Sequence, residues 1–217
     1  MTAIIAGMIT ALISSVLFVN LKDIQEKYEK KGRQTKWFIL SVIVYTVIYC
    51  TIIKYMCSGG SCLSVTCSTL ILANAMFLLA VIDFRYKKIP NRCILGLILI
   101  RTFCILWQGI QTGSMISVFI NSFAGFVTGL AVLVVISLIS KKGLGAGDIK
   151  MYAAIGYFIG CSGVLDILMY SSFFCTVVGL FLVIIKKCRM KSLVPMAPFA
   201  FVGTMLYFLL YMNEGLI

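Results

Sequence analysis

Lys141-Lys142-Gly143-Leu144-Gly145-Ala146-Gly147-Asp148-Ile149-Lys150-Met151 is a glycine-dense turn that ends in an acid. It is wedged between two apolar runs, an uncharged one from Met115 to Ser140 and a short one from Ile149 to Gly160. Only seven of the 217 residues are Asp or Glu. An acid at the mouth of an apolar segment, beside glycines that let backbone come close, points to chemistry more than to packing. The turn also shows how the whole chain is organised: apolar runs joined by short basic loops.

The chain is 61% hydrophobic and 12% charged, with a mean hydropathy of +1.07. Soluble domains are about half apolar and roughly a quarter charged, so composition places the chain in the polytopic membrane class. No polar stretch is long enough to build a large soluble core, and residues 1–217 read as a single integral membrane domain. The net charge is +12. Because the Lys and Arg sit in short loops between apolar runs, they mark one membrane face, with membrane lipids rather than nucleic acid as partners. Of the nine cysteines, Cys50, Cys93, Cys104, Cys175 and Cys188 lie in or beside apolar runs, where free Cys acts as a small apolar residue. Cys57, Cys62 and Cys67 share one Gly/Ser loop without zinc-site spacing, and an external loop would let two of them pair.

Eight apolar runs are expected to be helices: Ala3–Val19, Trp37–Met56, Ser68–Ile82, Cys93–Trp107, Met115–Ser140, Ile149–Gly160, Val164–Ile185, and one opened by Pro195-Met196-Ala197-Pro198 and ending near Met212. The fold class is therefore all-α, a helical membrane bundle of about eight transmembrane helices. The range is six to eight, because the first run is a weak prediction and the sixth falls short of the ~20 residues a bilayer core requires. The first run has no basic N-terminal residues or cleavage site and reads as a retained helix rather than a signal peptide. Ser58–Cys67, Gln108–Ser114 and Cys161-Ser162-Gly163 read as turns, and Pro90 as a helix break or a fresh start. Placing loops 21–36, 85–92, 141–150 and 186–191 on one side gathers 17 of the 19 Lys and Arg there, all but Lys54 and Arg101. That side is expected to be cytoplasmic. The alternation then puts Asp83, ending one helix, and Asp148, beginning another, at one membrane depth.

Two carboxylates held close together do not both ionise easily; one pKa rises and the pair shares a proton. The pair then offers an acid and a base at neutral pH, as in aspartic proteases. The chain has no His, which excludes Ser-His-Asp, Cys-His and HExxH chemistry. Taken singly, each acid has a simpler reading: Asp148 as a helix N-cap after glycine, Asp83 as a helix-end acid paired with Arg85, Lys87 or Lys88.

Ala80-Val81-Ile82-Asp83-Phe84-Arg85 with Ile89-Pro90-Asn91, then Gly145-Ala146-Gly147-Asp148-Ile149-Lys150-Met151, resemble the two acid motifs of type IV prepilin peptidases, the second being their GxGD signature. Pro195-Met196-Ala197-Pro198-Phe199 resembles their C-terminal proline segment. The resemblance covers about residues 68 to 212. It implies Asp83 and Asp148 as the catalytic pair, with Gly145, Gly147, Lys150, Pro90 and Asn91 shaping or supporting the site, and no metal or cofactor. It implies removal of prepilin or pseudopilin leaders at the cytoplasmic face of the plasma (inner) membrane. Methylating relatives often carry a domain with four zinc-binding cysteines; loop 21–36 has none, which puts N-methyltransferase activity in doubt.

The GxGD motif also occurs in signal-peptide-peptidase-type proteases. Those resemble a pattern with Tyr before the first Asp and Pro-Ala-Leu later, where this chain has Ile82 and Pro195-Met196. A transporter predicts acids deep in the bilayer, and a non-catalytic pilus-assembly protein is a further alternative. Arg101, mid-run, is expected to be structural, with Asp166 as a candidate partner.

Overall fold

A computed structural model describes residues 63–139, 145–185 and 195–211. The runs Ala3–Val19 and Trp37–Met56, loops 21–36 and 186–191, Lys54, Cys57, Cys62, Lys141 and Lys142 lie outside the described residues. Among the described residues there are six helices: α1 (Leu63–Tyr86), α2 (Asn91–Thr112), α3 (Met115–Ile139), α4 (Ala146–Ile159), α5 (Cys161–Ile184) and α6 (Ala197–Tyr211). Of these, α1, α2, α3 and α5 are long and apolar enough to cross a membrane. The result is the expected polytopic helical membrane bundle.

Helix α4 is the centre. Every residue from Met151 to Phe158 is buried, and a helix that is apolar all round belongs in an interior. At 14 residues it rises only about 21 Å, short of the ~30 Å hydrocarbon core. Helix α1 is mostly buried too, whereas α2, α3 and α5 turn large apolar side chains such as Leu99, Ile116 and Phe181 outward. α3 lies close against α4 because glycines meet at the crossing. A Cβ on Gly125 would collide with the Gly156 carbonyl, and one on Gly129 would come within 2.5 Å of the Tyr152 carbonyl oxygen. Small residues four apart, Gly125/Gly129 and Gly156/Gly160, are a common device for close packing of membrane helices.

Several helix ends differ from the expected runs. α1 starts at Leu63 and includes Cys67, so Cys67 belongs to a helix rather than a loop; it is a free thiol. α2 continues to Thr112, and the turn shrinks to Gly113, at φ 67°, and Ser114. Cys161-Ser162-Gly163 is the first turn of α5, not a loop. Gly160 alone reverses the chain, at φ 94° and ψ −177°, a conformation that is essentially glycine's. α1 ends one turn beyond Asp83: Lys87 adopts φ 50° and its N–H donates to the Asp83 carbonyl at 2.9 Å, a left-handed helix stop. Pro90, extended, then caps a fresh helix, α2.

Arg101 is 6% exposed and structural, but Asp166 is not its partner. Its Nε donates to the Tyr157 carbonyl at 3.1 Å, its Nη2 to Ser122 Oγ at 3.0 Å, and its guanidinium lies 5.6 Å from the centre of the Phe158 ring. It therefore ties α2 to α3 and α4. Asp166 instead hydrogen-bonds Tyr211, joining α5 to α6.

Candidate active site

Four helix ends gather around the two acids. Asp83 sits in the last turn of α1, 5% exposed. Its Oδ2 accepts a hydrogen bond from the N–H of Ala197 at 3.0 Å. Ala197 is the first residue of α6, so the carboxylate faces the positive end of a helix dipole, which offsets part of the cost of burying it. The local sequence fixes which donor is used: Pro195 and Pro198 have no N–H, leaving Met196 and Ala197 to supply the donors where α6 begins.

Asp148 is the third helical residue of α4 and half-buried. The N-cap is Gly145, not Asp148, which removes the capping explanation for this acid. Asp148 lies outside the four segments long enough to cross a membrane. Burial, and then the nearby charge of Asp83, push its carboxyl up to about 6. The chain thus brings two acids 65 positions apart in sequence into electrostatic contact.

The glycines make room for this arrangement. A Cβ on Gly145 would stand 3.0 Å from Asp148 Oδ2, and one on Gly147 would stand 3.2 Å from Cβ of Ile89. What approaches Gly147 is therefore the loop between α1 and α2. Lys150 reaches sideways: its Nζ donates to Asn91 Oδ1 at 3.1 Å, pinning the start of α4 to the start of α2. Pro90 precedes Asn91 as the α2 cap. Gly145, Gly147, Lys150, Pro90 and Asn91 all fall at the same end of the bundle as the acids, but as spacers and fasteners between helix ends. The Ala197 N–H was not foreseen as a site group; the signal for it was the pair of flanking prolines. Among the described residues, no three His, Cys, Asp or Glu cluster as metal ligands.

The fold and site define a membrane-embedded helical protein with two aspartates near one another at one end. A sequence profile of the type IV leader peptidase family matches residues 70–180, just over half of the chain, and the chain belongs to that family. It is 28% identical over 136 residues to a "Prepilin leader peptidase/N-methyltransferase" of Xanthomonas campestris pv. campestris, covering 58% of this chain and 44% of that one. It is 27% identical over 134 residues to a protein of the same name from Bacillus subtilis, covering 62% of this chain and 52% of that one. The chain thus spans about half the length of the curated relatives it matches. No solved structure matches it.

Proposed function

We propose that this chain is a membrane aspartic endopeptidase that removes the leader from type IV prepilins or pseudopilins at the cytoplasmic face of the plasma membrane. The whole of residues 1–217 forms one membrane domain in this reading. The observation that carries it is the coupling of Asp83 and Asp148, with Asp83 held by the first N–H of α6. Family membership and the names of the relatives support the same reading.

In the reaction, Asp148 carries the proton and Asp83 is the base that faces the water. Asp83 takes a proton from water as the water oxygen attacks the scissile carbonyl carbon, while Asp148 gives its proton to the carbonyl oxygen. The tetrahedral diol then collapses. The C–N bond breaks, the leaving nitrogen takes the proton from Asp83, and a diol hydroxyl returns one to Asp148, so the pair ends as it began. Pro90, Asn91 and Lys150, with Gly145 and Gly147, set the spacing of the helix ends that present the acids. No cofactor takes part.

The test is leader cleavage of a co-expressed prepilin by wild type, Asp83→Asn and Asp148→Asn. Asn keeps the shape but cannot share the proton. Cleavage that survives either change rejects the proposal, and activity lost on chelation counts against it.

A further inference from the structure

A second feature lies on the other side of Lys150 from the acids. α2, α3 and α4 leave between them an open cleft of about 410 Å3. Arg92 and Lys150 stand at its mouth, both exposed. Its body is apolar, with Ile98 from α2, Phe126 and Leu130 from α3, and Ala153 as part of the α4 wall. No acid lines it.

We propose that this cleft is a binding site for an anionic phospholipid, with the phosphate between Arg92 and Lys150 and the start of one acyl chain along Ile98, Phe126 and Leu130. Charge complementarity selects the headgroup: two cations, with no acid beside them among the described lining residues, suit a negative ligand. The apolar walls require a hydrocarbon tail, which free phosphate lacks. The cleft's volume falls within the roughly 300–1,000 Å3 that suits a small molecule. Lys150 donates one exposed hydrogen bond to Asn91, and an ammonium has three donors, enough to hold a phosphate as well. The lipid reading requires neither Asp83 nor Asp148, although Lys150 and Asn91 also fasten the helix ends that present them.

The experiment uses the full chain in phosphatidylcholine vesicles doped with a phosphatidylglycerol that carries a photoreactive group in its acyl chain. A phosphatidylcholine with the same group is the control. Phosphatidylglycerol is expected to label peptides containing Ile98, Leu130 and Ala153 more heavily than the control. Arg92→Gln should lower that labelling about five-fold, the usual effect of one basic residue near an anionic lipid surface. Leu130→Trp, which fills the cleft, should lower it without altering Arg92. Equal labelling by the two lipids, or labelling undiminished in both variants, overturns the proposal. So does a result in which an added single-helix peptide displaces the lipid label and crosslinks to the same residues, since a helix would then be the occupant.

Discussion

Asp83 and Ala197, 114 positions apart, are joined by a 3.0 Å hydrogen bond from the backbone of one to the carboxylate of the other. The bond links the C-terminal end of α1 to the first residue of α6, and it leaves Asp83 oriented by the main chain. Ala197→Pro removes this donor where proline's backbone is tolerated, and its ring also enters a fully buried site, adding a packing cost to the lost bond. A hydrogen bond to a charged group contributes about 1.5–3 kcal/mol, so leader cleavage should fall roughly ten- to hundred-fold. Unchanged cleavage by an equal amount of inserted protein would show that the bond is dispensable.

The raised carboxyl of Asp148 sets a pH dependence. It is protonated below about 6 and ionised above. If Asp148 supplies the proton, kcat/KM should decline as pH rises through about 6. The apparent pKa of that limb belongs to the pair. A rate that keeps climbing to pH 8 would mean that Asp148 acts as the base instead.

The same shift costs stability at neutral pH. A carboxyl whose pKa is raised on folding binds protons more tightly in the native state, so stability is greatest below the unfolded value near 3.8 and declines as pH rises toward about 6. Asp148→Asn should therefore raise the melting temperature at pH 7 and leave it nearly unchanged at pH 3.5. Water screens a half-buried group, so about 1 kcal/mol, or roughly 2–4 °C, is expected. A lower melting temperature at pH 7 would contradict the repulsion between the acids.

Lys150 and Asn91 fasten α4 to α2 through one exposed contact. Lys150→Met and Asn91→Ala should each reduce cleavage by less than about ten-fold, and the double variant should be no worse than the more impaired single one, because both remove the same bond. Additive losses would give Lys150 a role beyond that bond.

Glycines in this chain are not equivalent. Gly156→Ala forces a methyl group against the Gly125 carbonyl and should deplete folded protein, while Gly179, with open space around it, should accept Ala with a gain of up to about 0.5–1 kcal/mol from helix propensity. Thermal unfolding in detergent distinguishes the two.

The parts of the fold that depend on hydropathy and charge were legible in the sequence: the helical class, the break at Pro90, and the meeting of Asp83 with Asp148, which follows from counting helices between them. What was not legible rests on backbone groups and short-range geometry. Arg101 finds a carbonyl and a serine hydroxyl, and neither leaves a charge pattern to read. Cys161-Ser162-Gly163 has the composition of a turn, yet Gly160 reverses the chain by itself and frees those residues to start α5. The Ala197 N–H has no side-chain signature at all; only the adjacent prolines hint at it.

The position of Ala197 bears on biosynthesis. A ribosome makes Asp83 and Asp148 well before it makes the donor that orients Asp83. Until the final described helix has been threaded into the bilayer, a nascent chain holds both acids with one of them unanchored. In the proposed reading, chains interrupted before residue 195 lack the N–H that orients Asp83 and should insert without cleaving a leader.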